Sequence, residues 1–337
     1  MIHTQKSYDI RGISDAHKNY NSSIVEFNGK LLLISRSQNS LLKPSVLTLS
    51  VITTSYHVLS SLTLPIASPG YSCEDPRCQS VGKFLYIFWN SGAAPKIKHA
   101  TTFDYSIYVS CIDRDYNIVY TKPLQYSGRN QLEKNWLPFY DWNNHRWLCL
   151  YSTSPWVILE FDENWVGKEI IRENIDLPWH WGQIRGGTCP VKIAPPTQAS
   201  FTLRYSQYYT WFHSSYDHPV KHLNLPRHYV SGLLSFSTDT FLPTGISRFP
   251  IIEPHLKDKS AVASKVVFPG GAIFKPKSLP YYPYDKWIVS YGVGDRWTRV
   301  DEISHQEVTC RLNYETIKIK DLTEDICIED KTTTEKL

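Results

Sequence analysis

The chain has 337 residues, a formal net charge of +4 and a charged fraction of 20%. Its basic residues are scattered and form no block interleaved with aromatic residues, so nucleic-acid binding is not expected. No segment approaches the roughly 20 consecutive apolar residues of a membrane span, and the N-terminal segment lacks the continuous apolar stretch of a secretory signal. These features exclude neither a binding protein nor an enzyme.

Seven cysteines are present, an odd number with no short paired framework. That pattern is typical of a reduced, cytoplasmic protein rather than a secreted one stabilised by disulfides. No set of Cys and His residues has the spacing of a zinc site, so we expect no metal centre and no organic cofactor.

Short apolar segments bounded by turn residues dominate the sequence, and helical periodicity is weak. Aromatic residues make up 14% of the chain and Pro occurs 21 times, a composition that favours β-strands and turns. Five times, a turn is followed by a compact apolar strand that ends in polar or Gly residues. In chain order, these predicted strands cover residues 29–36, 82–90, 145–152, 208–214 and 285–292.

A polar or Gly-rich cluster precedes each predicted strand, and the clusters recur at intervals of 52 to 83 residues. One marker from each cluster defines the repeat: Ser22, Asp75, Asn135, Gly187 and Gly270. Repeats of roughly 50 residues are typical of β-propellers, in which each four-stranded sheet forms one blade. Spacing alone also leaves open a β-sandwich or two β-domains.

Read as a propeller, the repeat predicts an all-β protein with a single five-bladed β-propeller over residues 1–328, and the polar tail over residues 329–337 is expected to be disordered. The innermost strands of a propeller run side by side around a central channel. Clusters at equivalent ends of these strands would therefore meet at one mouth of the channel, although they are far apart in the sequence.

The most informative of these clusters is Glu74-Asp75-Pro76-Arg77, in which two carboxylates and a guanidinium adjoin a Pro. On an exposed turn this would be an ordinary ion pair of little energetic consequence. In a funnel, burial raises the pKa of a carboxyl group and neighbouring cations lower it, so the same residues can form a tuned proton donor.

The other clusters are weaker signals on their own. Lys134, Asn135 and Trp136 combine a cation, an amide and an aromatic ring that could stack on a sugar, or Trp136 could lie in the core. Arg185 adjoins two Gly residues and could hold an anion or form a tight turn. His213 ends an apolar strand, where a lone His is more often structural than a ligand.

Together the clusters resemble glycoside hydrolase family 130, five-bladed propellers that include β-mannoside phosphorylases. The resemblance rests on Asn21 with Ser22, on Arg36, on residues 74–77, and on the segments VVFPGG at 266–271 and YGVGD at 291–295. It implies an inverting reaction with Asp75 as general acid. It also implies that Asn21, Arg36 and Asp295 hold the sugar ring.

The resemblance implies a wider sugar site as well. The remaining substrate-binding candidates are Ser22, Glu74, Arg77, Asn135 and Trp136. The chain departs from the family pattern where phosphate would bind: residues 150–152 read Leu-Tyr-Ser where an Arg is usual, and Gln183 replaces a Lys. A replacement anion site could be formed by Lys134, Arg185, His213 and Tyr229, with inorganic phosphate as a candidate co-substrate.

Three functions fit these residues. The first is cleavage of a β-mannoside or related glycan, by water or by phosphate. The second is glycosyl transfer from a sugar nucleotide, as in related β-1,2-mannosyltransferases, with Lys134 and Arg185 near the diphosphate. The third is non-catalytic glycan binding. In each case the expected partner is an oligosaccharide or a smaller sugar.

Overall fold

The chain folds into a five-bladed β-propeller, as the repeat predicts. The computed structural model describes residues 5–39, 44–66, 72–92, 106–130, 134–193, 206–216, 228–254, 266–276, 285–313 and 318–319. The predicted disordered tail lies outside these residues. Within them, β-strands predominate, and α1 (His305–Thr309) is the one α-helix. No described helix has the length and apolar character needed to cross a membrane.

The first three blades are antiparallel sheets in which the strands follow one another in sequence order. Blade 1 contains β2 (Lys18–Phe27), β3 (Lys30–Gln38), β4 (Val46–Ile52) and β5 (Val58–Thr63). Blade 2 contains β6 (Ser72–Val81), β7 (Phe84–Gly92), β8 (Ser106–Ile112) and β9 (Ile118–Pro123). Blade 3 contains β10 (Leu137–Asp141), β11 (Arg146–Thr153), β12 (Trp156–Phe161) and β13 (Gly167–Glu173).

The fourth blade has an interrupted inner edge, because two short strands pair with the same long one. The two short strands are β15 (Gln183–Gly186) and β16 (Val191–Ile193), and both pair with β17 (Gln207–Tyr216). The blade continues with β18 (His228–Ser237), β19 (Pro243–Ser247) and, at the outer edge, β23 (Leu312–Asn313). A separate two-stranded ladder joins β14 (Ile175–Asp176) to β24 (Lys318–Ile319).

The two ends of the propeller sequence meet in blade 5. Its inner strands are β20 (Val267–Lys275), β21 (Lys286–Val293) and β22 (Trp297–Ser304), and its outermost strand is β1 (Lys6–Ile10) from the start of the chain. Strand β1 runs antiparallel to β22, with Lys6 opposite Glu302 and Ile10 opposite Thr298. This pairing closes the ring of blades.

The apolar core is divided among the interfaces between neighbouring blades. Successive residues of a strand point to opposite faces of the sheet. In β7, Ile87 and Trp89 therefore pack towards blade 1, whereas Phe88 packs towards blade 3. Within the described residues, five such clusters join blades 1 and 2, 2 and 3, 3 and 4, 4 and 5, and 5 and 1. Burial on both faces explains why the predicted strands are continuous apolar runs.

All five strands predicted from the repeat are the second strands of their blades, namely β3, β7, β11, β17 and β21. The polar clusters that precede them lie on or beside the innermost strands. The geometric argument from the sequence is therefore confirmed, because these clusters surround the central channel.

Ring closure should contribute measurably to stability. Ile10 of β1 is 4% exposed and packs in the cluster between blades 5 and 1. We expect Ile10→Ala to lower the free energy of unfolding by about 2–5 kcal/mol, since it removes buried methyl groups and leaves a cavity. The control Leu59→Ala, on a side chain that is 67% exposed, should change it by about 0.5 kcal/mol or less. Equal effects in urea denaturation would contradict this role for β1.

Candidate active site

The site is built on irregularities of the innermost strands. The register of β2 shifts between Tyr20 and Ser23, and that of β6 shifts between Glu74 and Arg77. Within these bulges, Asn21 and Asp75 adopt left-handed backbone angles, with φ of 48° and 50°. Asn and Asp tolerate this region better than other side chains. A bulge redirects a side chain, and here it brings those of two blades together.

Asp75 is the centre of this arrangement and is 6% exposed. Its Oδ1 accepts hydrogen bonds from Asn21 Nδ2 at 2.8 Å and from Arg36 Nη1 at 3.5 Å. Its Oδ2 accepts one from Asn90 Nδ2 at 3.4 Å. The predicted proton donor therefore lies within direct reach of the predicted sugar-binding residues Asn21 and Arg36.

Glu74 binds the nearby cations. Its Oε1 accepts hydrogen bonds from Arg36 Nη2 at 2.9 Å and from Ser72 Oγ at 3.0 Å, and its Oε2 accepts one from Lys134 Nζ at 2.8 Å. The Arg36 guanidinium also lies 5.0 Å from the centre of the Tyr20 ring. Glu74 thus joins blades 1, 2 and 3 through charge-assisted hydrogen bonds.

Arg77 has a different role from the one expected. Its side chain donates to the backbone oxygens of Asp75, Gly186 and Gly187 and to Asn135 Oδ1, at 2.6 to 3.1 Å. It is 2% exposed, so it holds the inner strands of blades 2, 3 and 4 together rather than contacting a sugar. Asn135, with φ of 70°, is one of its anchors.

Two other predicted sugar contacts are also buried in the scaffold. Trp136 is 3% exposed and packs edge-on against Tyr126 and Tyr151, so it offers no open face for stacking. Ser22 is fully buried, and its hydroxyl lies within hydrogen-bond distance of Ser35 Oγ and Thr298 Oγ1. It links blade 1 to blade 5. Both residues therefore pack between blades instead of making the sugar contacts that the motifs had suggested.

Asp295 lies in the turn between β21 and β22, with φ of 51°, and is exposed. The surrounding protein displaces much of the bulk water, which raises the pKa of Asp295, and the negative charge of Asp75 raises it further. Gly292, three residues before Asp295, leaves space for the Asn21 side chain: a Cβ on Gly292 would lie 1.9 Å from Asn21 Oδ1. Gly is therefore required there.

The pKa of Asp75 is lowered, in contrast to that of Asp295. Burial by itself would raise it, but Arg36, Lys134, the hydrogen bond from Asn21 and Arg77 together hold the pKa below its ordinary value. Two carboxyl groups near one funnel thus have pKa values displaced in opposite directions. Such a separation is common where acid–base chemistry is carried out.

The predicted anion-binding residues lie around blades 3 and 4. Lys134 and Arg185 line an open cavity of about 850 Å³ that adjoins the Asp75 site through Asn135. His213 is 2% exposed and packs 4.6 Å from the Phe268 ring centre. Burial, with the nearby cations Arg77 and Arg185, lowers the pKa of His213 to about 3, so it is neutral at physiological pH.

Tyr229, the fourth predicted anion ligand, stacks against His213 with ring centres 6.4 Å apart. Arg185 has no carboxylate partner among the described residues. Lys134 is ion-paired with Glu74, so the positive charge that no carboxylate offsets among these predicted residues is that of Arg185. The neutral His213 can contribute only hydrogen bonds.

Asn90 is a site residue that the sequence reasoning missed. It ends the predicted strand at residues 82–90 and is 1% exposed beside Asp75. A signal for it was present, because the first predicted strand likewise ends at Arg36, which also contacts Asp75. In the described part of the chain, no group of three or more His, Cys, Asp or Glu residues could hold a metal ion.

The fold has counterparts among solved structures of carbohydrate-active propellers. No family model matches the chain, and no curated protein matches its sequence. Among solved structures, it is similar to a β-1,2-mannobiose phosphorylase from Listeria innocua in complex with β-1,2-mannobiose. That match has 14% identity, covers 91% of this chain and 99% of the other, and has a TM-score of 0.62.

Two proteins from Leishmania mexicana have a similar fold. One is a mannose phosphorylase in complex with a phosphate ion (14% identity, coverage of 95% and 92%, TM-score 0.60). The other is a GDP-Man-dependent mannosyltransferase (16% identity, coverage of 90% and 91%, TM-score 0.60). The chain is therefore structurally similar to the mannoside phosphorylases of glycoside hydrolase family 130 and related five-bladed propellers, at low sequence identity.

Proposed function

We propose that this protein is an enzyme acting on the glycosidic bond of a β-mannoside or related glycan, with inversion at the anomeric carbon and Asp75 as proton donor. The observation that carries the proposal is the contact of the Asp75 carboxyl with both Asn21 and Arg36 in the funnel. The fold shared with a β-1,2-mannobiose phosphorylase supports the choice of substrate class.

In this proposal the sugar ring lies over Arg36, Asn21 and Asp295, and the glycosidic oxygen faces Asp75. The bond from the anomeric carbon to that oxygen breaks as the Asp75 proton moves to it, through an oxocarbenium-like transition state. Phosphate or water attacks the opposite face of the anomeric carbon and forms the new C–O bond. Attacking water releases a proton to the solvent, and Asp75 regains its proton from the solvent. Lys134 and Arg185, which line the adjoining cavity, would supply positive charge for phosphate.

Asp75 must carry a proton to act in this way. Because its pKa is held below the ordinary value, the protonated fraction at neutral pH is small and grows as the pH falls. The proposed reaction therefore proceeds best on the acidic side of neutrality. The raised pKa of Asp295 suits a carboxyl that exchanges hydrogen bonds with sugar hydroxyls in either charge state.

The first test replaces the proton donor. Asp75→Asn keeps the side-chain shape but cannot deliver the proton, so kcat on β-mannosides should fall about 10²–10⁴-fold. Product release is measured with and without phosphate, and folding is checked by circular dichroism. Asp115→Asn, on an exposed turn, is the matched control and should keep full activity. Unchanged activity of Asp75→Asn would reject its catalytic role, and an inactive but folded wild-type protein would favour glycan binding alone.

A second test uses the charge near Asp75. Lys134 lowers the pKa of Asp75, so Lys134→Met should raise that pKa and keep the acid protonated to higher pH. With water as acceptor, the alkaline limb of the kcat profile should move to higher pH. The control Lys192→Met removes a lysine that donates to Asn143 instead and should leave the limb in place. If the alkaline limb of the kcat profile does not move in Lys134→Met, the assignment of Asp75 as proton donor is wrong.

Glycosyl transfer from a sugar nucleotide is the second candidate function. It is favoured by the size of the cavity beside Lys134 and Arg185, about 850 Å³, which is larger than inorganic phosphate needs. If this candidate is correct, GDP-mannose should raise the melting temperature by several degrees while phosphate does not. Arg185→Met should abolish that shift, whereas Arg114→Met, on the exposed turn after β8, should keep it. A shift with phosphate alone would instead favour phosphorolysis.

A further inference from the structure

The two oxygens of the Asp75 carboxyl have unequal surroundings. Oδ1 accepts from Asn21 at 2.8 Å and from Arg36 at 3.5 Å. Among the described residues, Oδ2 accepts only from Asn90, at 3.4 Å. A proton added to a carboxylate goes to the oxygen that loses least hydrogen bonding. Oδ2 is that oxygen, because adding the proton at Oδ1 would oppose a short hydrogen bond and a guanidinium.

The Asn90 amide is oriented by the same carboxylate. An ionised carboxylate accepts hydrogen bonds but does not donate them, so Nδ2 of Asn90 must face it. This orientation leaves Asn90 Oδ1 buried without a hydrogen-bond partner. A buried acceptor without a partner is unfavourable. Reversal of the amide would turn that oxygen towards Asp75.

We propose that Oδ2 is the oxygen of Asp75 that carries the proton, and that Asn90 is a positioning residue whose amide reverses when the proton arrives. In the reversed state, Asn90 Oδ1 accepts the hydrogen bond from Oδ2–H. This hydrogen bond holds the proton on Oδ2 while no substrate is in place, and it breaks when Oδ2–H turns to the glycosidic oxygen and the proton is transferred. This inference rests on the proposed role of Asp75 as proton donor.

Other charged groups act on Asp75 without contacting Oδ2. Among the described residues, the titratable and charged groups that interact with the site from the surrounding blades are Arg36, Arg77, Lys134, Glu74, Asp295, His213 and the Tyr20 hydroxyl. They help to decide at which pH Asp75 titrates. The hydrogen-bond geometry at Oδ2 decides where the proton goes. Asn21 Oδ1 is likewise buried without a hydrogen-bond partner, but the Asn21 amide faces Oδ1 of Asp75, so Asn90 is the amide placed to respond at Oδ2.

The coupling can be observed directly in the wild-type protein. With ¹³C-labelled Asp and ¹⁵N-labelled Asn, the side-chain amide of Asn90 should titrate in NMR spectra with the same midpoint as the Asp75 carboxyl. In Asp75→Asn the Asn90 resonance should no longer depend on pH in that range. If the chemical shift of the Asn90 amide does not change as Asp75 titrates, the proposal is wrong. This measurement needs no substitution at Asn90.

Substitutions at Asn90 separate positioning from packing. Asn90→Leu removes the donor to the ionised carboxylate, so the pKa of Asp75 should rise, corresponding to about a threefold to tenfold smaller acid dissociation constant. Asn90→Thr should stay close to wild type, since a hydroxyl can donate to the ionised form and accept from the protonated form. Asn143→Leu, at a remote Asn bonded to Lys192, is the control.

Equal titration of Asp75 in the wild type, Asn90→Leu and Asn90→Thr would reject the role of Asn90. The alkaline limb of kcat should follow the same order as the titration midpoints. Failure of the proposed function is a separate result: the wild type would show no activity on glycosides while Asn90 and Asp75 still titrate together.

Discussion

The structure depends on the packing of each blade against both of its neighbours. A four-stranded blade is apolar on both faces, as β7 illustrates, and an isolated blade would expose both of them to water. The ring removes this exposure only when it is closed, which β1 accomplishes by pairing with β22. Closure fixes the radial position of every inner strand. Side chains from distant parts of the chain, such as Asn21 and Asp75, can then be held 2.8 Å apart.

The same scaffold permits local conformations that would be unfavourable in isolation. Asn21, Asp75 and Asn135 all have left-handed backbones, a conformation that persists only where the surrounding structure enforces it. Charged groups are concentrated at the same place. Burying them is tolerated because nearly every one is paired: Glu74 with Arg36 and Lys134, and Arg77 with backbone oxygens. The left-handed backbones and the buried charges of the site therefore both depend on the surrounding blades.

Sequence patterns identified the centre of the candidate site better than its edges. The motif around Asp75 and the strand that ends at Arg36 led to residues that are in contact. Arg77 and Trp136 were expected to contact sugar but are buried between blades. Residue type and spacing do not reveal such burial, because the partners that cause it come from other blades. Asn90 was missed for a different reason: its partner Asp75 lies on the neighbouring strand of the same blade, and the contact depends on the bulge that redirects Asp75.

The sequence by itself determined the five apolar strands and their polar clusters, because these follow from local patterns repeated along the chain, and the choice of a propeller over other β-folds came from the resemblance of its motifs to a known family. Only the tertiary structure decided which candidate site residues are in contact and in which direction their pKa values shift. Asp75 and Asp295 each have an Arg within the next two residues of the sequence, yet the pKa of Asp75 is lowered and that of Asp295 raised. The difference arises from how many cations, hydrogen-bond donors and water molecules surround each carboxyl, and ring closure sets those numbers.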